Sequence, residues 1–145
     1  MQNLNYGVIG NCSTAALISE KGAIEWLCFP EFDSPSVFAA ILDRQKGGHF
    51  GFKVTSDYKV TQSYVPHTNI LSTHFESEEG AFDVVDFMPC YPTSDGKDFY
   101  RPAEIYRYIR WAKGRPRMKV DYRPAPNYAR GKTIYNVTSQ YVETY

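Results

Sequence analysis

Short segments in which apolar and polar residues alternate recur along the chain and restrict its fold more than any other feature. The alternation is clear in AIEWLCF (23–29), GGHFGFKV (47–54), NILSTHFES (69–77) and EEGAFDVVDFM (78–88). A period of two places successive side chains on opposite faces of a β-strand. Gly, Asn and Asp residues separate these segments at the spacing of hairpin turns. The sequence therefore predicts a mainly β protein, an antiparallel, supersandwich-like β-sandwich.

Two further segments extend this pattern. SDYKVTQSYV (56–65) alternates in the same way and predicts a strand. EIYRYIRWAKG (104–114) fits both a helix, through Ile105, Ile109 and Ala112, and a strand, in which Arg107 and Trp111 share a face with the two isoleucines. Its β-branched and aromatic residues, and the glycine that ends it, favour the strand.

One segment departs from the strand pattern. In FDSPSVFAAILD (32–43), Ser34 precedes Pro35 as an N-cap residue precedes a proline in the first helical turn. Val37, Phe38, Ile41 and Leu42 then form an apolar stripe at helical spacing. The segment predicts one short helix near residues 35–43, capped by the Ser34 hydroxyl.

Length and charge narrow the class of protein. The 145 residues predict one domain, residues 1–145, and the 16 basic and 16 acidic residues give a formal net charge of zero. Without a run of one sign, we expect neither a nucleic-acid partner nor a membrane partner. The N-terminus lacks the basic and apolar regions of a signal peptide. Three cysteines without a CxxC pair are typical of a reducing compartment, so we expect a cytoplasmic protein.

The sequence predicts no metal site and no cofactor. The three histidines, His49, His67 and His74, do not have the spacing of metal ligands. The chain also lacks GxSxG and GxxxxGK[ST], the motifs of a nucleophile elbow and a phosphate-binding loop.

Carboxylates in the PEFDSP segment raise the question of glycosidase chemistry. Hydrolysis of a glycosidic bond requires two carboxyl groups on either side of the bond, one of them with a raised pKa. Glu31 and Asp33 are two residues apart, but two prolines and the predicted cap give this segment a structural purpose. Since no pair has the apolar surroundings that raise a pKa, we assign no catalytic residue.

The same segment supplies the main candidates for a contact surface. Pro30 and Pro35 restrict the backbone on either side and predict a stiff bridge that presents Phe32 and Asp33 at one rim of the sandwich. We expect Phe32 to be more exposed than the core aromatics Phe50 and Phe82. The candidates for docking or sugar contact are Trp26, Phe32, Asp33, Ser34 and Trp111.

Several stretches taken together resemble a known family. They are YGVIGNCSTAALISEKGAIEWLCFPEFDSPSVFAAILDRQKGGHF, YVPHTNILSTHF, DVVDFMP and IRWAKGRPRMKVDYRPAPNYAR, in this order. Over residues 6–130 they resemble the N-terminal domain of glucoamylase- and trehalase-like enzymes of glycoside hydrolase family 15. The resemblance implies a β-sandwich that precedes an (α/α)6 barrel. In that family, glutamates of the barrel act as general acid and general base in inverting hydrolysis of α-glucosidic bonds.

This resemblance implies that the chain is a non-catalytic part of a longer hydrolase. Its expected partner is its own C-terminal (α/α)6 catalytic domain, whose active site it would support and shape, with an α-glucan or trehalose as the ligand. Two alternatives remain open: a free-standing carbohydrate-binding module, and a structural domain that forms homo-oligomers. A planar pair of exposed aromatics would favour the module, and a broad apolar patch would favour an interface.

Overall fold

The computed structural model, which describes residues 4–54 and 58–145, contains two antiparallel sheets packed face to face. Its strands in chain order are β1 (Tyr6–Gly10), β2 (Ala15–Ser19), β3 (Ile24–Cys28), β4 (Ser36–Phe38), β5 (His49–Val54), β6 (Lys59–Tyr64), β7 (Leu71–Glu76), β8 (Gly80–Phe87), β9 (Tyr91–Pro92), β10 (Phe99–Tyr100), β11 (Tyr106–Gly114), β12 (Met118–Arg123), β13 (Tyr135–Val137) and β14 (Val142–Thr144). One short helical turn, α1, spans Pro126–Ala129.

The strands form two large sheets and two small hairpins. Sheet A has the order β1-β2-β3-β5-β12, and β4 also pairs with β3; sheet B has the order β11-β8-β7-β6. Strands β9 and β10 form one separate hairpin, and β13 and β14 form the other. The predicted antiparallel β-sandwich is confirmed, as is the strand at 104–114. Of the strand predicted at 56–65, Ser56 and Asp57 lie outside the described residues.

The short helix predicted near residues 35–43 is wrong. Ser36 pairs with Cys28 and Phe38 pairs with Leu27, so this segment adds β4 to the side of β3. Strand pairing buries Phe38, whereas Leu42, part of the predicted helical stripe, is exposed. A favourable cap contributes about 1 kcal/mol, which is less than the backbone pairing and burial that the strand gains. Backbone pairing with β3 therefore outweighs the local preference for a capped helix.

The helical turn α1 lies elsewhere and is not a regular α-helix. Asn127 and Tyr128 have positive φ angles of 54° and 57°, the left-handed region that L-residues seldom adopt. The tertiary contact of Tyr128 with Trp26, at 6.4 Å between ring centroids, connects this turn to the outer face of sheet A. Within the described residues, no helix has the length and apolar character of a membrane span.

The core between the sheets consists of two adjoining clusters. The alternation in the sequence produces it, since one face of each strand is apolar. The first cluster contains Ile9, Ala16, Ile18, Ile24, Leu27, Phe38, Leu71 and Met88. The second contains Phe75, Phe82 and Val84, against which Phe52, Val54, Tyr58, Val60 and Met118 pack.

A buried ion pair lies on the inner face of sheet B and reaches the opposite side of the sandwich through the Arg107 guanidinium. Arg107 of β11 binds Asp86 of β8 through two hydrogen bonds, Nε to Oδ1 at 2.7 Å and Nη2 to Oδ2 at 3.0 Å. The same guanidinium donates to the backbone carbonyl oxygens of Phe50 in β5 and Gly22 in the β2–β3 turn. One side chain from sheet B thus joins two backbone segments of the opposite side of the sandwich.

The surroundings of this pair are apolar. The guanidinium carbon of Arg107 lies 4.8 Å from the ring centroid of Phe50 and 5.1 Å from that of Phe52. Burial raises the pKa of the Asp86 carboxyl, and the Arg107 guanidinium acts in the opposite direction. A charge left without its partner here would therefore be strongly destabilising.

We predict that Arg107→Met lowers the free energy of unfolding by about 3–5 kcal/mol, because it leaves the buried Asp86 carboxylate unpaired. Arg110→Met, on the same strand, removes a pair with Asp83 in which the arginine is exposed. That control should cost less than about 1 kcal/mol. Urea denaturation at pH 7 measures both values, and equal losses would contradict a special role for Arg107.

Candidate functional site

Loops from both sheets meet at one end of the sandwich, where hydrogen bonds join them. The β1–β2 loop contacts the β3–β4 loop, because the amide of Phe32 donates to the carbonyl oxygen of Ser13 at 3.0 Å. The β6–β7 loop contacts β1 through Asn69, whose side chain donates to the Gly10 carbonyl oxygen at 2.9 Å. We call this region the loop end, and it consists of residues 11–14, 29–35, 65–70 and 88–105.

The Asn11 side chain makes three hydrogen bonds within the loop end. Its Oδ1 accepts from the amides of Ser13 and Thr14 at 3.1 and 3.2 Å, and its Nδ2 donates to the carbonyl oxygen of Pro102 at 3.0 Å. The side chain is buried, with 2% of its surface exposed. Sequence reasoning did not single out this residue. The Asn-x-Ser-Thr pattern, in which a side chain satisfies amides two and three residues later, was the available signal.

The PEFDSP corner is a closed turn, and Ser34 does not cap a helix. The Ser34 amide donates to the Glu31 carbonyl oxygen at 3.1 Å, and the Ser34 hydroxyl accepts from the Glu31 amide at 3.0 Å. The peptide bond between Phe29 and Pro30 is cis. The predicted cap is wrong because the hydroxyl faces back into its own turn, and the chain then enters β4.

Phe32 lies exposed on this corner. Its side chain is 63% exposed, whereas Phe82 is fully buried and Phe50 is half-buried in the core. The expected order of exposure is confirmed. Asp33 is also exposed, next to Phe32 on the same turn. The corner therefore presents an aromatic ring and a carboxylate to the surroundings, on a backbone held by hydrogen bonds to Ser13 and within the turn.

The other two aromatic candidates lie away from the loop end. Trp26 lies half-buried on β3, against Tyr128. Trp111 is 68% exposed near the far end of β11, and its Nε1 donates to the Gly114 carbonyl oxygen at 3.1 Å. Among the described residues, no ring contact joins Trp26, Phe32 and Trp111 to one another. These three do not form the planar pair expected of a stand-alone sugar-binding module.

Sequence reasoning missed a second group of exposed aromatics at the loop end. Tyr91, Phe99 and Tyr100 belong to the β9–β10 hairpin and are each at least half exposed. Tyr106, at the start of β11, stacks on Phe87 with ring centroids 5.1 Å apart. The signal was the concentration of aromatic residues in the segment 91–106, which otherwise has the composition of a polar loop. The loop end thus presents at least four exposed aromatic side chains, those of Phe32, Tyr91, Phe99 and Tyr100.

The buried carboxylates of the sandwich are ion-paired rather than arranged for catalysis. Asp83, on the outer face of sheet B, accepts from His74 at 2.6 Å and from Arg110 at 2.7 Å. Burial by itself would raise the pKa of Asp83, but the hydrogen bonds from His74 and Arg110 outweigh it and lower the pKa. A general acid needs the opposite shift.

Asp121, on the outer face of sheet A, is also paired with basic side chains. It contacts His49 at 3.0 Å, Lys53 at 3.1 Å and Arg123 at 2.8 Å. Burial would raise its pKa, and these three partners together lower it well below the usual value for aspartate. Within residues 4–54 and 58–145, no three His, Cys, Asp or Glu side chains are grouped so that they could hold a metal ion.

Comparison with known proteins supplies a family for this fold. A family model described as trehalase-like, N-terminal, matches residues 5–143. A trehalase of Thermoplasma volcanium is 36% identical over 132 residues, which are 89% of this chain and 20% of the relative. Trehalase 1 of Sulfolobus acidocaldarius is 51% identical over 85 residues, 57% of this chain and 14% of the relative.

A third relative, a trehalase of Mycolicibacterium smegmatis, is 40% identical over 95 residues, 63% of this chain and 14% of the relative. The chain thus spans a fifth or less of the length of these three relatives. No solved structure matches the chain.

We predict that Asn11→Ala lowers the free energy of unfolding by roughly 2–4 kcal/mol, because it leaves buried amides and a carbonyl without partners. Asn69→Ala is the matched control, since Asn69 is exposed and makes one hydrogen bond to a backbone carbonyl. Its cost should stay below about 1 kcal/mol. Thermal and urea unfolding of the two variants test this difference, and similar costs would show that Asn11 is not the organiser of the loop end.

Proposed function

The chain belongs to the family of trehalase-like N-terminal domains. We propose that it is a non-catalytic domain, which supports and shapes the active site of an adjoining catalytic domain. One observation carries the proposal: Phe32 is exposed on a corner whose backbone is held in place by hydrogen bonds. A large aromatic side chain on a rigid loop suits an interface, because little conformational entropy is lost when it is covered.

The proposed partner is an (α/α)6 barrel of the glycoside hydrolase family 15 type on the same polypeptide. The barrel would hydrolyse an α-glucosidic bond with inversion, using its own two glutamates. Trehalose is the favoured substrate, because the relatives from Thermoplasma, Sulfolobus and Mycolicibacterium are named trehalases. A short α-glucan is the alternative that the resemblance to glucoamylases keeps open.

We assign catalysis to the partner because the candidate carboxylates of this chain are either ion-paired or exposed on a turn. Asp83 and Asp86 are ion-paired to arginines on opposite faces of β8. Glu31 and Asp33 lie on an exposed turn rather than in an apolar pocket. An inverting pair needs one acid with a raised pKa and a gap of about 6.5–9.5 Å for a sugar and a water. Asp86, whose pKa is raised by burial, is fully enclosed and bonded to Arg107, so it is not open to a sugar and a water.

The loop end is the proposed contact surface. Phe32 would insert into the barrel as an anchor, and the exposed aromatics of the β9–β10 hairpin would extend the apolar contact. Asp33, one residue beyond the anchor, would face the rim of the active site, where a carboxylate can accept hydrogen bonds from sugar hydroxyls. The Ser34 hydroxyl and the Ser13 carbonyl would keep both side chains in position.

Cytoplasmic location is part of the proposal. All three cysteines, Cys12, Cys28 and Cys90, are free thiols, as is usual in a reducing compartment.

We predict that the purified 145-residue chain releases no glucose from trehalose, maltose or isomaltose. The reason is the lack of a suitable carboxylate pair in the described structure. A coupled glucose assay over several hours measures this directly. Glucose release that disappears in Glu31→Gln or Asp33→Asn would place the chemistry in this chain and overturn the proposal.

In the full-length hydrolase, we expect Phe32→Ala to weaken docking of the sandwich to the barrel by roughly 2–4 kcal/mol, the range of a central aromatic anchor. Leu42→Ala is the control, because Leu42 is a similarly exposed apolar residue outside the loop end. Asp33→Ala should reduce turnover more than it reduces thermal stability. If neither Phe32→Ala nor Asp33→Ala changes turnover or melting temperature, the corner is only a turn.

A further inference from the structure

The two sheets end in neighbouring strands on one side of the sandwich. Strand β11 is the last strand of sheet B, and β12 is the last strand of sheet A. Only residues 115–117 separate them, a connection short enough for a hairpin, but β12 pairs with β5 and not with β11. Each strand therefore has one edge that pairs with no other strand among the described residues.

On the opposite side of the sandwich, one side chain joins the two sheets. There β1 is the edge of sheet A and β6 is the edge of sheet B. The Tyr64 hydroxyl of β6 accepts from the Val8 amide at 2.7 Å and donates to the Val8 carbonyl oxygen at 2.9 Å. This contact satisfies the amide and the carbonyl of Val8 on the β1 edge, one way in which a native protein protects a sheet edge.

Core-facing apolar side chains are exposed along β11. Arg107 points into the interior, so Ile109 and Trp111 lie on the same face of the strand. Their side chains are nevertheless 40% and 68% exposed. A residue on the inner face of a sandwich strand is normally covered by the other sheet or by the next strand.

Strand β12 also carries an exposed apolar side chain on its inner face. Met118 and Tyr122 pack against the core, and Val120 lies between them on the same face. Val120 is 50% exposed. The inner faces of both edge strands thus carry apolar side chains that the described residues leave uncovered, next to backbone groups without strand partners.

We propose that β11 and β12 are acceptor edges for further strands of the same polypeptide, from the part that follows residues 1–145. The added strands would pair with both edges and cover Ile109, Trp111 and Val120. This inference rests on the proposed function, in which the chain is one part of a longer hydrolase. The relatives have the necessary polypeptide, because four-fifths or more of their length lies outside the matched region.

A second copy of the chain suits this site less well. Pairing β11 with itself over its whole length, in the antiparallel sense, centres the two-fold axis on Arg110. The Arg110 side chains of the two copies would then be directly opposite each other, and like charges in that position are destabilising. A different segment of the same polypeptide avoids this repulsion and can supply apolar residues at alternate positions.

Cysteine labelling of the full-length gene product tests the proposal. Ile109→Cys and Val120→Cys are made singly in a Cys12→Ser/Cys90→Ser background, since Cys12 and Cys90 are exposed and Cys28 is buried. Val8→Cys is the matched control, because Val8 lies on an edge strand and is 45% exposed. Rates of maleimide labelling are measured in the native state, at several protein concentrations, and in urea as a reference.

The expected result is labelling at positions 109 and 120 that is at least tenfold slower than at position 8, at every protein concentration. A smaller difference overturns the proposal, and so does protection that disappears on dilution, which would indicate a second copy. The labelling does not depend on activity. An enzyme without glucosidase activity but with protected edges would therefore refute the proposed function and leave this inference standing.

Discussion

The Arg107 guanidinium is the interaction on which the rest of the sandwich depends. It neutralises Asp86 inside the core and at the same time satisfies carbonyl oxygens of β5 and of the β2–β3 turn. A buried charge is tolerated only when its hydrogen bonds are satisfied, so a shift of β11 on β8, or of one sheet against the other, would carry the cost of breaking these bonds. The apolar clusters supply most of the driving force for folding, and the ion pair disfavours any packing that would leave Asp86 unpaired.

A fixed relation between the sheets has consequences at the loop end. The loops there come from both sheets, and Asn11 of the β1–β2 loop is bonded to Pro102, which precedes β11. A shift of one sheet against the other would break this bond and move the corner that presents Phe32. The fixed packing of the two sheets thus also fixes the position of the loop end, where Phe32 is exposed. A domain that shapes another domain's active site needs such rigidity, because small displacements near reacting groups reduce catalysis strongly.

The sandwich is also asymmetric, and the asymmetry follows from single side chains. Tyr64 joins β6 to β1 through Val8, whereas Ile109, Trp111 and Val120 leave the side formed by β11 and β12 apolar and open. The loop end and the open side are two separate surfaces. In the proposed hydrolase the first would meet the catalytic barrel, and the second would be completed by additional strands.

The sequence by itself determined the longer strands and the class of fold, because period-two alternation is a local property that each of these segments carries independently. It also predicted the exposure of Phe32, since prolines near a bulky residue restrict the backbone within a few positions. The segment 35–43 was decided by tertiary structure: a cap is worth about 1 kcal/mol, and pairing with β3 outweighed it. Arg107, Asn11 and the open edges were also beyond sequence reasoning. Asp86 lies 21 positions from Arg107 and Pro102 lies 91 positions from Asn11. Only the folded arrangement brings these partners together and leaves β11 and β12 at the edges of the described sheets.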